Sequence, residues 1–227
     1  MKKVLVVAPH PDDEIIGCGA SILRHLKDIE EKEVHITYAT LGDAPNPDFE
    51  QENYREMRLN EIQHFIKLLG IPAQNHHLLF EPVHRIDPDD LFRKLVDVVR
   101  NVQPQICYIP HAGETDGDHS LVSRVALDAI MRAPSKWFRM VGDSRQYLEP
   151  VEAILAYEIS TPLGEAHYFE RFTEEEIEKK LKLLQVYKSQ RWVDYRHRTK
   201  GLNAFRGGRF GVYAEAFQVL RLNIKLF

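Results

Sequence analysis

Apolar positions along this chain change period several times, and each change marks an element. Val4 to Ala8 is an unbroken apolar, mostly β-branched run, the pattern of a strand covered on both faces and so of a parallel sheet. From Glu14 to about Ile29 the period lengthens, with Ile15, Ile16, Ile22, Leu23 and Leu26 fitting a helix, and Val34 to Leu41 returns to strand. These 41 residues predict a β-loop-α-β unit. GDAPNPDFE (42–50) is loop by composition, about Gln51 to Leu69 is helical with Gly70 as its stop, and His77 to Phe80 is a short apolar piece. Asp87-Pro88 opens a helix that runs to Val102, with a capping carboxylate followed by proline at the first position. Gln105 to Ile109 is the next buried strand, Ser120 to Met131 a helix, and Ala153 to Ile159 a further strand. Thr173 and Glu176 form a capping box ahead of Ile177, Leu181, Leu184 and Tyr187. In the tail, GLNAFRGGRFGVYAEAFQVLRL (201–222), glycine-marked turns separate aromatic residues expected to dock against the body or a partner subunit. The fold class predicted is α/β, a Rossmann-like three-layer αβα sandwich around a mostly parallel sheet, as one domain over residues 1–227.

Composition narrows the partners. With 227 residues, 44% of them hydrophobic, the chain buries a core without staples. Its net charge of −4 comes with both signs interleaved, so no basic stripe follows a phosphate backbone and no nucleic-acid partner is expected. Cys18 and Cys107 lack paired spacing and read as core thiols in a reducing compartment. MKKVLVVA begins like a signal peptide, but its apolar run stops at Pro9 and charges follow at once; no stretch reaches transmembrane length. A cytoplasmic protein without a membrane span is expected, and the aromatic tail favours a homo-oligomer.

Two predicted strands end on polar chemistry. Beyond Ala8 comes PHPDDE (9–14) and beyond Ile109 comes the run that includes HAGETDGDHS (111–120). In an open parallel sheet, ligands bind beyond the carboxyl ends of strands. A carboxylate there often only caps a helix, but two adjacent ones, Asp12 and Asp13, repel unless a cation or proton lies between them. The glycines of IIGCGAS (15–21) do not make a dinucleotide fingerprint, because no third glycine follows at the needed spacing. They suit a helix pressed closely on a sheet, or a loop passing over it. His10 and Asp13 supply nitrogen and oxygen, a mixture that zinc accepts and magnesium disfavours. The second cluster offers His111, Asp116, Asp118 and His119, with His119 as a natural third ligand. Two histidines, one carboxylate and an open position describe a catalytic zinc site, and leave Asp12 to take a proton from water. Arg58 and Glu61 read either as a surface ion pair worth about 0.3 kcal/mol or as groups with a structural or substrate-facing role. Glu14 either steadies the first helical turn or orients the loop. Trp137, Trp192, Tyr195 and Arg196 are candidate walls of a sugar site, or core and subunit contacts.

PHPDDEIIGCG (9–19) resembles the A/P-H-P-D-D-E signature of the LmbE-like or PIG-L family of zinc-dependent N-deacetylases. TLGD (40–43), RLNEIQHFIKLLG (58–70), GDHSLVSRVAL (117–127), KLKLLQVYKSQ (180–190) and YAEAFQVLR (213–221) extend the resemblance over most of the chain. It implies His10, Asp13 and His119 as ligands of one Zn2+ per chain, or of another divalent transition metal, and Asp12 as general base. Its second motif is commonly H-P-D-H, where this chain has Asp116-Gly117-Asp118-His119. Asp116 thus stands where relatives place a histidine that supports the tetrahedral intermediate or protonates the leaving group. An ionised Asp cannot donate, so either Asp116 is protonated, or it orients another donor, or His111 reaches in. Asp118 is expected behind the ligand or as a helix cap. The activity implied is removal of an N-acetyl group from an N-acetylglucosamine-type sugar or its conjugate, a small-molecule partner. The loops near 43–53, 132–150 and 160–170 would set specificity. The rival readings are metal-dependent hydrolysis of another amide or ester on a small metabolite, and a catalytically degenerate metabolite-binding or protein-binding member.

Overall fold

The apolar run at the start of the chain becomes strand β1 (Lys2–Ala8), which lies inside the sheet. Val4, Val6 and Ala8 face one side and Leu5 and Val7 the other, all inaccessible to solvent. A computed structural model describes residues 2–28, 30–45, 50–135, 138, 148–190 and 194–223. Its elements continue as α1 (Asp13–Lys27), β2 (Lys32–Thr40), α2 (Gln51–Leu69), β3 (His76–Glu81), α3 (Pro88–Val102), β4 (Ile106–Pro110) and α4 (Gly117–Arg132). After these come β5 (Ala153–Tyr157), β6 (Tyr168–Phe172), α5 (Glu174–Leu184), α6 (Tyr195–Gly207) and β7 (Tyr213–Leu222). Among the described residues no helix is long and apolar enough to cross a membrane.

The sheet order is β3-β2-β1-β4-β5-β7-β6. β1 pairs in parallel with β2 on one side and β4 on the other, so the direction of winding reverses between β1 and β4. Their carboxyl ends leave a crevice at this switch point, where an open α/β sheet binds ligands. Ile15 and Ile16 of α1, Ile62 and Phe65 of α2, and Leu184 of α5 cover one face. Leu91, Leu95 and Val99 of α3, with Val122 and Ala126 of α4, cover the other. This is the αβα sandwich that the pattern of the chain predicts. Each fully buried Val or Leu contributes roughly 1.5–3 kcal/mol relative to exposure, which holds β1 and its polar carboxyl end in place.

The tail departs from expectation in kind. Instead of merely docking, residues 213–222 form β7, which inserts antiparallel between β5 and β6 and is the strand that makes the sheet mixed. β6 and α6 were not legible either, since YFERF (168–172) is five residues long with charges inside it, and α6 has little apolar face of its own.

Candidate metal centre and cleft

Beyond β1 the chain turns sharply. Asp12 sits at φ 116°, a left-handed backbone conformation costly for a residue with a side chain, and its carbonyl opens α1 by accepting from Ile15 N and Ile16 N. The turn is clamped from outside. Pro9 O accepts from Thr40 N and Thr40 Oγ1, and Pro11 O accepts from Arg58 Nη2 at 2.6 Å. Asp12 N donates to Glu14 Oε2 at 3.0 Å, and His10 N donates to Asp13 Oδ2 at 2.8 Å. Although Asp12 occupies the capping position of α1, its side chain makes no capping bond. Simple capping therefore does not account for the acidic pair.

On the other wall, α4 starts at a cap that does hold: Asp116 Oδ1 accepts from Asp118 N at 2.9 Å and His119 N at 3.2 Å. This cap starts α4 three residues ahead of the predicted Ser120 and turns His119 toward β1. His10 Nδ1, Asp13 Oδ2 and His119 Nε2 then form a triangle with edges of 3.1, 3.2 and 3.3 Å. Bonds of about 2.0–2.1 Å to a tetrahedral zinc set its ligand atoms about 3.3 Å apart, so one face of such a shell fits these three atoms. His10, Asp13 and His119 are the group among the described residues able to hold a divalent metal in this way. Each imidazole has a carboxylate behind it. His10 Nε2 lies 3.1 Å from Asp118 Oδ2, and His119 Nδ1 lies 3.6 Å from Glu114 Oε2. Such partners fix the ring and its tautomer and raise its basicity.

The triad opens on a cleft of about 520 Å³, lined also by Asp12, Arg58, His84, Asp116 and Tyr195. Burial pushes the Asp12 carboxyl well up, against the opposing charge of Arg58. Asp13 is held far below the usual carboxylate range: burial pushes it up, but His119 and His10 prevail. Glu14, wholly buried, accepts from Tyr187 Oη at 2.5 Å and Tyr38 Oη at 3.2 Å, and burial raises its carboxyl to about 7. It orients the loop through Asp12 N.

Arg58 and Glu61 are not a surface pair. Arg58 is inaccessible to solvent and donates to Leu41 O, Pro11 O, Ser189 Oγ and Glu61, while Glu61 accepts from Ser189 N and Oγ. The inward face of α2 thus ties the loop of Asp12 to Ser189, within the SQ motif. Gly42, at φ +63°, lies so close to the guanidinium that a Cβ there would be 2.6 Å from Nη2. Asp118 stands behind His10 and is not the cap of α4. His111 stands apart from the cleft walls: Nε2 donates to Thr161 O at 2.7 Å and Nδ1 accepts from Gly113 N at 3.2 Å. Tyr195 reaches the cleft, Arg196 instead donates to Glu178, and Trp137 and Trp192 lie outside the described residues.

Sequence reasoning passed over Glu114, His84, Lys180 and Glu215. Glu114 accepts from Ile159 N, Ser160 N and Thr161 N, which ties the end of β5 to the back of His119. Burial raises its carboxyl, but His111, His119 and the Ile159 amide bring it down to about 2. Its only signal was an acid inside HAGETDGDH.

An open α/β sheet with a His-Asp-His triad at its switch point places residues able to hold a divalent metal where such a sheet binds its ligands. Residues 5–130 match the family model PIG-L: GlcNAc-PI de-N-acetylase, and the chain belongs to this family. A 1D-myo-inositol 2-acetamido-2-deoxy-alpha-D-glucopyranoside deacetylase of Kineococcus radiotolerans is 25% identical over 197 residues, 71% of this chain and 52% of that protein. The chain spans about half the length of the curated relatives it matches. Among solved structures, N,N'-diacetylchitobiose deacetylase from Pyrococcus horikoshii superposes with a TM-score of 0.82 at 22% identity, covering 96% of this chain and 84% of that one. GalB, the 4-carboxy-2-hydroxymuconate hydratase from Pseudomonas putida KT2440, gives 0.79 at 21% identity, covering 100% and 99%. At these identities the two structures speak for the fold alone.

Proposed function

We propose that the chain is a zinc-dependent hydrolase that removes the acetyl group from an N-acetylglucosamine-type sugar or its conjugate. The observation that carries this is the placement of Asp12 in the cleft beside three ligand atoms spaced as one face of a tetrahedral shell. Because the same fold also carries a hydratase, activity has to be argued from the site and not from the sheet. His10, Asp13 and His119 would hold the ion, which supplies Lewis-acid polarisation of the acetyl carbonyl and a water of near-neutral pKa.

The chain's own groups do the rest. Asp12 is held by its strained turn and buried, so its carboxylate is kept basic enough to take a proton from the attacking water. Glu14 and Arg58 hold that turn from its two sides. Asp118 and Glu114 keep the two imidazoles aimed. Tyr195 and the rim residues confine the sugar.

The test is Asp12→Asn assayed for zinc content and for free amine released from N-acetylated sugars, nucleotide-linked sugars and glycosides. Zinc is expected to stay at one per chain while turnover falls by about 10²–10⁴-fold. Undiminished turnover would remove Asp12 from the reaction. Protein that carries no zinc when prepared without chelator would favour the degenerate metabolite-binding reading.

A further inference from the structure

Breaking an amide C–N bond needs a proton on the departing nitrogen, and the two residues expected to serve that end are otherwise engaged. Asp116 faces the cleft, but its Oδ1 caps α4, and a carboxylate accepts rather than donates. His111 is not on the cleft wall, and both its ring nitrogens are bonded within its own loop and to Thr161. Of the histidines lining the cleft among the described residues, His10 and His119 belong to the triad, which leaves His84.

His84 lies between β3 and α3, in a segment the pattern of the chain did not single out. Its backbone is at φ 60°, strained for a residue with a side chain. The main chain is nonetheless anchored, because His84 N donates to Asp118 Oδ2 at 2.9 Å, the same oxygen that lies 3.1 Å from His10 Nε2. The ring itself is 65% exposed, with Nδ1 3.7 Å from that oxygen. One carboxylate oxygen thus ties a metal-site imidazole to a free imidazole at the rim. Nδ1 is the ring nitrogen nearer that oxygen, and the ring lines the cleft.

We propose that His84 is the proton donor to the leaving amine, an assignment that rests on the N-deacetylase reading. Water adds to the acetyl carbon and loses a proton to Asp12 as the C–O bond forms. The C–N bond then breaks, and its electron pair takes the proton of the His84 imidazolium. Acetic acid and the free amine form, the carboxylic proton passes to the amine through solvent so that acetate and the ammonium depart, and the proton on Asp12 returns to His84 through solvent, so atoms and charge balance. Tyr54 and Tyr195 also line the cleft, but a phenol gives up a proton at neutral pH far less readily than an imidazolium, and burial pushes the Tyr195 phenol higher still.

The experiment compares two leaving groups in the zinc-loaded full chain, an N-acetylglucosamine-type amide and p-nitrophenyl acetate, whose phenolate departs without a proton. His84→Ala is expected to lower kcat/KM on the amide by about 10²–10³-fold and on the ester by less than about threefold. His84→Gln, which keeps bulk and polarity without an acidic proton, should behave the same way. Zinc content and Tm of both variants should match the parent, as suits a ring that is mostly in solvent. Equal losses on amide and ester, or no loss on the amide, overturn the assignment. A parent chain inert toward every N-acetylated sugar overturns the deacetylase reading itself and His84 with it, and this is visible before any substitution is made.

Discussion

At the scale of single residues, the site is a set of charges that tolerate one another only in one arrangement. Burial alone would lower the basicity of both triad imidazoles. At His10, hydrogen bonds to Asp118 and Asp13 reverse this and raise it to about 9, and at His119 Asp13 and Glu114 raise it to about 11. A cation entering the triad therefore competes with protons. Below those values the protons are bound and must leave, so metal affinity rises with pH. Chelator competition for zinc between pH 6 and 8 should show an apparent affinity that increases about tenfold per pH unit for each proton displaced. A flat profile would mean that the imidazoles are already neutral. The adjacent Asp12 and Asp13 needed no structure to be noticed, since two neighbouring carboxylates without a cation repel. Their division of labour did, because it depends on the φ of Asp12, which places Asp13 on the triad and leaves Asp12 beside it.

At the scale of elements, α1 carries a break that explains its glycines. Cys18 is non-helical at φ −139° and ψ 27°. In a regular helix Ala20 N would donate to Ile16 O. Here Ile16 O accepts instead from Lys180 Nζ at 2.8 Å, while Ala20 N and Ser21 N donate to Glu215 at 2.7 and 2.9 Å. Lys180 and Glu215 pair with each other at 2.8 Å, both side chains wholly buried, so an ion pair from α5 and β7 fills the gap and sets the direction of the half-helix that bears Asp13 and Glu14. Gly17 permits the approach to the sheet, since a Cβ there would lie 2.0 Å from Tyr157 Cδ2. Lys180→Met leaves a buried carboxylate and a carbonyl without their partner and is expected to cost about 3–5 kcal/mol, read as a lower urea midpoint at constant m. Lys180→Met combined with Glu215→Gln should lose less. If the single substitution were silent, the pair would not be holding the break. In the sequence Lys180 is one lysine among several on a capped helix, with no mark of a partner 35 residues away.

At the scale of the whole molecule, β7 joins β6 to the parallel part of the sheet. It is hydrogen-bonded to β5 and β6, and through Glu215 to α1 beside the site. Ending the chain at Gly211 should therefore remove cooperative folding everywhere rather than trim an appendage, measured as loss of a single urea transition and of zinc binding together. A truncated chain that still binds zinc would show the first 211 residues to be self-sufficient.

What the sequence by itself determined follows from short-range physics. Continuous apolar runs must be covered on both sides, so they specify a parallel sheet. Cap and proline signals place α3 and α5, and polar runs at the ends of β1 and β4 point to a site at the switch point. Only the tertiary structure decided the remainder, because it depends on which distant groups meet. Arg58 turns inward to Pro11 O, Glu114 stands behind His119, His84 comes to the rim through Asp118, and a tail with a glutamate at its centre becomes an internal strand. A buried charge is stable only beside its partner, and no local pattern along the chain records where that partner lies.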